Sequence, residues 1–397
     1  MSAFTLESPA AIHFGPGAVL KLRDIVAGAA RSRSSARALR VLLVSGTRWL
    51  SSSGWAERLA KLLPAGDVKV AACAKGEPST ETIASLLDEA GDYSPDVILA
   101  IGGGSVLDTA KALSALLVHG GPVTRFLEGL PDSIPVPGPG IPWIALPTTA
   151  GTGAEVTKNA VVRLADLGVK RSMRSPYLLA HAVIVDPELT VTQPARVTGI
   201  AGLDALTQLV EAYVTPKSNP FVRSLVEGAF EPMIRSLEGL GARPQDLELR
   251  AAASYGALVS GIALANAGLG AAHGFAAALG GMFEVPHGLA CAVSLPHVLE
   301  ANADAIGEPV SRLASTVRGR KTADGDPVRW LITKVKEILR GFDLPLDLRE
   351  YRIPAERISE IAKMSSGSSM SGNPRQLDMD EREAMLVKII GTGSARS

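Results

Sequence analysis

Residues 96–116 read DVILAIGGGSVLDTAKALSAL. An apolar, β-branched run breaks on Gly102, Gly103 and Gly104, and a helical pattern begins at Ser105 without any connecting loop. A strand that passes straight into a helix through glycine is the turn of an α/β sheet. Glycine permits tight-turn angles and lets a ligand approach main-chain N–H groups with no Cβ in the way. The helix N-terminus behind it adds unpaired donors and a positive dipole end, so this turn suits phosphate. It matches neither GxGxxG nor a Walker loop, since no GK[ST] follows. Asp108, in the first helical turn, either complements the dipole or contacts the ligand.

Working outward, ALRVLLVSG, DVKVAAC, WIALPTT and AVIVDPE read as further strands. WAERLAKLL and ETIASLLDEAG between them carry apolar residues at helical spacing. From Ala38 to about Asp186 this alternation predicts a mostly parallel, Rossmann-like sheet covered by helices on both faces. Ligands of such sheets sit at the carboxyl ends of the strands. After Pro194 the strands stop, and alanine, leucine and glutamate dominate three long segments, which predicts an all-α second domain. The boundary falls in 186–197, giving an α/β dinucleotide-binding domain over 1–190 and a helical domain over 191–397. GRKTADGDPVRW (319–330) and SSGSSMSGNPR (365–375) read as loops, the second before a short terminal helix.

The chain has 397 residues, enough for two domains, with 46% apolar and 20% charged residues. Its 40 basic and 40 acidic side chains cancel, so nothing in the charge favours nucleic acid or an anionic membrane as partner. Cys73 and Cys291 lie far apart without CxxC spacing and read as buried thiols of a reducing cytoplasm. The opening MSAFTLESPAAIHFG lacks the pattern of a signal peptide, and no apolar run reaches membrane-spanning length.

Further candidate residues cluster by type. WIALPTTAGTGAEVTKNAVV supplies the hydroxyls of Thr148, Thr149 and Thr152 after a strand, and Lys170 offers a cation for the same anion. Asp204 and Gln208 stand four apart in GLDALTQLVEAY, on one face of a helix. His273 and His287 bracket HGFAAALGGMFEVPH, whose Gly280, Gly281 and Pro286 force a turn between them. His287 suits a ligand at the start of a new helix, whereas His13, His119, His181 and His297 read as ordinary packed or exposed residues.

GGGSVLDTAK, PTTAGTGAEVT, KNAVV, SPYLL and VDPELT, followed by GLDALTQLVEAYV, NPF, ANAGLGAAHG, PHG and NPR, resemble the iron-containing alcohol dehydrogenase family over nearly the whole chain. The resemblance implies a dehydroquinate synthase-like architecture with a catalytic cleft between the domains. It also implies NAD(P)-dependent interconversion of an alcohol with an aldehyde or ketone by hydride transfer, in a homo-oligomer such as a dimer. Carried over, Gly102, Gly103, Gly104 and Ser105 hold the diphosphate, and Asp108, Thr148, Thr149, Thr152 and Lys170 line the rest of the cofactor site. Asp204, Gln208, His273 and His287 are the metal candidates, with Asp204, His273 and His287 catalytic. Two positions depart from the family pattern. Gln208 replaces a histidine ligand, and Ala277 stands where relatives carry a histidine near the nicotinamide. Iron or zinc is therefore held by three strong donors with weak help from Gln208, held loosely, or lost.

At the end of the first strand, where an acidic residue would repel a 2′-phosphate, the chain has Ser45, Gly46, Thr47 and Arg48. Two hydroxyls and a guanidinium there favour NADP over NAD. The alternatives are a reductase of an anionic carbonyl, of the maleylacetate or phosphonoacetaldehyde type, with Arg174 as its cation, and a nucleotide-binding protein that has lost catalysis. Phe275, Ala277, Met282 and Phe283 suggest an apolar substrate pocket or plain core packing.

Overall fold

The computed structural model describes residues 3–30, 37–73, 76–317 and 325–392. They form two compact units. One comprises Glu7–Thr149 and Gly153–Thr192; the other comprises Ala150–Thr152, the residues from Gln193 on and the first few through Leu6.

The described strands are β1 (Ile12–Phe14), β2 (Arg40–Gly46), β3 (Asp67–Cys73), β4 (Val97–Gly102), β5 (Trp143–Pro147), β6 (Asn159–Leu164), β7 (Val169–Arg174) and β8 (Ala182–Val185). Six of them make one parallel sheet in the order β1-β8-β5-β4-β2-β3. The expected strands β2, β3, β4, β5 and β8 are all present. Two features were not anticipated: β1, which extends the sheet beside β8, and the antiparallel hairpin of β6 and β7, which stands apart from it.

Helices α1 (Leu22–Ala30), α2 (Thr47–Ser52), α3 (Trp55–Leu62), α4 (Thr80–Gly91) and α5 (Gly104–His119) belong to this unit. β4 is central and buried along its whole length, VILAIG, which is why its sequence runs apolar without alternation. The chain leaves β2 toward β3 on one side and returns with β4 on the other, so the sheet reverses its order between β2 and β4. A crevice at the carboxyl ends of these two strands is the usual ligand position of such a sheet. α5 is fixed by Lys111, which is fully buried yet donates to Asp108 Oδ1 at 3.0 Å, Thr157 Oγ1 at 3.0 Å and the Asn159 carbonyl at 2.7 Å. All three ammonium protons are thus satisfied, as burial of the charge requires.

The second unit is helical: α6 (Ala195–Val214), α7 (Pro220–Leu240), α8 (Leu247–Ala267), α9 (Ala271–Phe283), α10 (His287–Ala301), α11 (Ala303–Thr316), α12 (Pro327–Gly341), α13 (Ile358–Met364) and α14 (Met379–Ile390). Starts are written in the sequence as caps: Asn219 before Pro220, Asp246 before α8, Asp326 before Pro327, and an Asp378–Glu381 capping box on α14. The loop expected over 319–330 is corrected at its end, because Asp326 and Pro327 open α12; residues 319–324 lie outside the described chain. α6 runs through the core, with Leu203, Leu206, Leu209 and Val210 buried against the surrounding helices. Among the described residues no single helix is long and apolar enough to cross a membrane.

One buried acid makes the sheet unit pH-sensitive. Burial lifts the Glu155 carboxyl, in the short turn Ala154–Val156, from the ordinary 4.5 to about 7, with Lys111 pulling weakly the other way. The folded protein holds this proton more tightly than the unfolded chain, so stability falls as pH rises from about 4.5 to about 7. Above that range Glu155→Gln should be more stable than wild type, by on the order of 2–3 kcal/mol, and near pH 4.5 the two should match. Urea unfolding at a series of pH values measures this; parallel pH dependences in the two proteins would exclude Glu155 as the cause.

Candidate functional site

The sheet register brings the separate phosphate clues onto one edge. Ser45 at the end of β2 pairs with Ile101 of β4, and Gly102 at the end of β4 pairs with Pro147 of β5. The turns Gly46–Arg48, Gly102–Ser105 and Thr148–Thr149 are therefore consecutive at the carboxyl ends of neighbouring strands. Thr148 N donates to the Gly102 carbonyl at 3.0 Å, and the Thr149 side chain would lie 3.2 Å from a Cβ on Gly103. A Cβ on Gly102 would come within 2.5 Å of the Val106 side chain, so only glycine lets β4 enter α5 this tightly. No side chain caps the N-terminus of α5, which leaves its donors for a ligand.

Three expected cofactor contacts are committed elsewhere. Ser45 is buried and donates its hydroxyl proton to the Ile101 carbonyl at 2.9 Å, so that proton cannot also serve a ribose phosphate. Asp108 accepts from Val161 N and from Lys111 Nζ, one on each oxygen, and ties α5 to β6. Lys170 pairs with Glu77 at 2.6 Å, which neutralises the cation meant for the diphosphate. Thr47 and Arg48 remain exposed. Thr152 falls in the helical unit rather than with Thr148 and Thr149. Arg174, the cation of the anionic-substrate reading, is paired with Glu128 at 3.1 Å.

In the helical unit, α6 presents Asp204, Gln208 and Glu211 on one face, α9 presents His273, and α10 presents His287 and Cys291. Two glycines allow the helices to close. A Cβ on Gly288 would lie 2.6 Å from the Ile200 carbonyl oxygen and 3.1 Å from Asp204 Cβ; one on Gly270 would lie 2.8 Å from Glu211 Oε1. Glu211 then accepts from Gly270 N at 2.9 Å, Ala272 N at 2.7 Å and His273 Nδ1 at 2.6 Å. It caps α9 from a neighbouring helix and fixes the tautomer of His273 at once.

With Nδ1–H donating to Glu211, His273 places Nε2 3.3 Å from Asp204 Oδ1. Both atoms are buried and neither finds a hydrogen-bond partner. A neutral imidazole and a carboxylate would set two buried lone pairs against each other here, so either a proton on Nε2 or a metal ion belongs between them. Burial opposes the charge on Asp204, but the two histidines outweigh it and hold the carboxyl below its usual range. Burial likewise disfavours imidazolium at His273, yet Cys291, Glu211 and Asp204 lift its pKa well above the ordinary value. Asp204, His273, His287 and Cys291 each offer one donor atom, all within 4.8 Å of one another. Carboxylate, imidazole and sulfur donors in this number fit a ferrous or zinc ion.

Gln208 stands one turn along α6 from Asp204. It is buried, with its amide oxygen 2.7 Å from Ser260 Oγ, whose one proton also has the Ala257 carbonyl 2.8 Å away. Cys291, read from sequence as a packing thiol, stands in the cluster with its Sγ 3.7 Å from His287 Nε2. Its four-residue spacing from His287 was the available signal. Glu211, seven residues beyond Asp204, was likewise missed. Of the apolar candidates, Phe275 is fully buried core, Met282 and Phe283 are half-buried, and Ala277 is exposed one turn beyond His273.

A doubly wound sheet with a phosphate-shaped turn, in one chain with a helical unit carrying a cluster of metal-ligating side chains, defines a class of dinucleotide-dependent enzyme. This chain belongs to the iron-containing alcohol dehydrogenase family: the family model of that description matches residues 9–187, and that of the Fe-containing alcohol dehydrogenase family, C-terminal, matches 198–390. It is similar to an NADPH-dependent butanol dehydrogenase of Clostridium saccharobutylicum, 30% identical over 97% of either chain. An NAD-dependent methanol dehydrogenase of Bacillus methanolicus is 30% identical, over 82% of this chain and 85% of that one. Among solved structures, a 1,3-propanediol oxidoreductase superposes with a TM-score of 0.87 at 28% identity, over 98% of this chain and 100% of the other.

The dual role of Glu211 is testable. In Glu211→Gln an amide NH2 would face at least one of the three N–H donors. We expect a loss of about 2–3 kcal/mol in unfolding free energy and roughly 10–100-fold weaker divalent metal binding. Urea unfolding and metal titration would measure both, and unchanged metal affinity would remove Glu211 from the orientation of His273.

Proposed function

We propose that this chain is an NAD(P)-dependent oxidoreductase that interconverts an alcohol with the corresponding aldehyde or ketone, using a divalent cation held in its helical unit. The observation that carries the site assignment is the convergence of Asp204, His273, His287 and Cys291, whose donor atoms all lie within 4.8 Å of one another, with Asp204 Oδ1 and His273 Nε2 buried and unpartnered among them. The nicotinamide cofactor supplies or accepts the hydride. A divalent ion, when bound, polarises the substrate oxygen as a Lewis acid.

The residues of the chain do the rest. Gly103, Gly104 and Ser105 receive the diphosphate at the start of α5, with Thr148 and Thr149 along its flank. Asp204, His273 and His287 hold the cation, and Glu211 keeps the His273 proton on Nδ1 so that Nε2 faces inward. Ala277 has no proton to give, so the substrate oxygen exchanges its proton with water instead of an imidazole. The small, exposed side chain also leaves room for a bulkier alkyl group than a histidine would.

The cofactor reading is NADP in preference to NAD. No carboxylate stands at the end of β2 to repel a 2′-phosphate, and Thr47 and Arg48 are exposed there. Arg174 is engaged by Glu128, which weighs against an anionic carbonyl substrate.

A panel of short aldehydes and alcohols assayed with NADPH and NADH tests this reading. The expected result is turnover with a higher kcat/KM for NADPH, and an Arg48→Ala variant whose NADPH value falls about 10–100-fold while its NADH value hardly moves. A wild-type preference for NADH would overturn the NADP assignment. In Asp204→Ala turnover should vanish while nucleotide binding persists, and full activity in that variant would refute the cation site.

A further inference from the structure

We infer that the fourth ligand of this cation is the Cys291 thiolate, not Gln208, and that the site therefore selects zinc over iron. The inference deepens the reading above and rests on its cation site.

Helix register provides the first support. His287 and Cys291 stand four apart on α10 and so share one face, the same spacing at which α6 carries Asp204 and Gln208. Each helix could contribute two ligands. On α6 the second is a neutral amide held against Ser260. On α10 it is a fully buried sulfur whose neighbours include two imidazoles and a carboxylate. Cys73 of β3, the other buried thiol, belongs to no such group of three or more potential ligands among the described residues.

Distances provide the second. Tetrahedral zinc with bonds of about 2.3 Å to sulfur and about 2.05 Å to nitrogen or oxygen sets its ligand atoms about 3.6 Å apart for S and N, and about 3.3 Å apart for N and O. Cys291 Sγ and His287 Nε2 are 3.7 Å apart, and His273 Nε2 and Asp204 Oδ1 are 3.3 Å apart. Both pairs, one from α10 alone and one bridging α6 and α9, are already at the spacing of coordinated atoms. Asp204 Oδ1 and His273 Nε2 also lack any other partner, so the cluster is aimed at an absent charge.

Chemistry provides the third. Zinc binding would exchange the S–H bond of Cys291 for a Zn–S bond and release one proton to solvent, with no change of oxidation state. Thiolate is a softer donor than the imidazole it replaces, which shifts preference from iron toward zinc.

The test uses the full-length protein. Metal content of protein purified without added metal should be close to one zinc per chain by mass spectrometry. After chelation and reconstitution with cobalt(II), the protein should show an intense near-ultraviolet thiolate-to-cobalt charge-transfer band. That band should be lost in both Cys291→Ser and Cys291→Ala, with zinc affinity down by at least about 100-fold, and kept in Gln208→Ala. Circular dichroism establishes that each variant is folded, and the serine variant guards against collapse of the cavity. Cobalt protein without the band, failure to bind cobalt at all, or loss of the band in Gln208→Ala alone would overturn the assignment. A protein that turns over alcohols but lacks the band would refute the cysteine ligand and leave the oxidoreductase reading intact. The band without turnover would do the reverse.

Discussion

The helical unit depends on one carboxylate. Glu211 sits on α6, yet it caps the start of α9 by accepting from Gly270 N and Ala272 N, and it accepts a hydrogen bond from Nδ1 of His273. A buried carboxylate is tolerable only when its lone pairs are filled by donors, and here the donors belong to the element it must position. Removing it would leave three N–H groups orphaned in the core. Gly270 is the matching concession, since any Cβ there would strike Glu211 itself. Helix packing and ligand orientation are thus one constraint, which is why the same few residues recur in both descriptions.

The sheet unit solves a different problem by register alone. Three turns separated by roughly fifty residues each in sequence become neighbours because β2, β4 and β5 are adjacent and parallel. Their carboxyl ends then line one edge at the place where the strand order reverses. Interior polar contacts keep that edge in place. Ser45 and Asp108, which read as ligand contacts, instead tie strand to strand and helix to hairpin.

Most of the sheet was legible because β2, β4, β5 and β8 are buried apolar runs bounded by turn residues. β1 was not, having only three residues, and β7 was not, because in VKRSMR only Met173 is buried and no apolar period survives. The start of α12 was written in Asp326 and Pro327 but masked by the charged segment before it. At the site, Asp204, His273 and His287 were recoverable from type and order. The commitments of Ser45, Lys170 and Gln208 were not, because the Ile101 carbonyl, Glu77 and Ser260 reach them only through tertiary packing. Cys291 was overlooked by weighing cysteines against each other instead of against the histidine one turn away.

The placement of His287 and Cys291 on consecutive turns of α10 has a kinetic meaning. Two donors on a single rigid helix act as a claw whose bite is set by helical pitch and persists whether or not an ion is held. Of the four clustered side chains, His287 alone is half-buried, so any ion taken up there would pass it. Such a socket would have one narrow door, at His287.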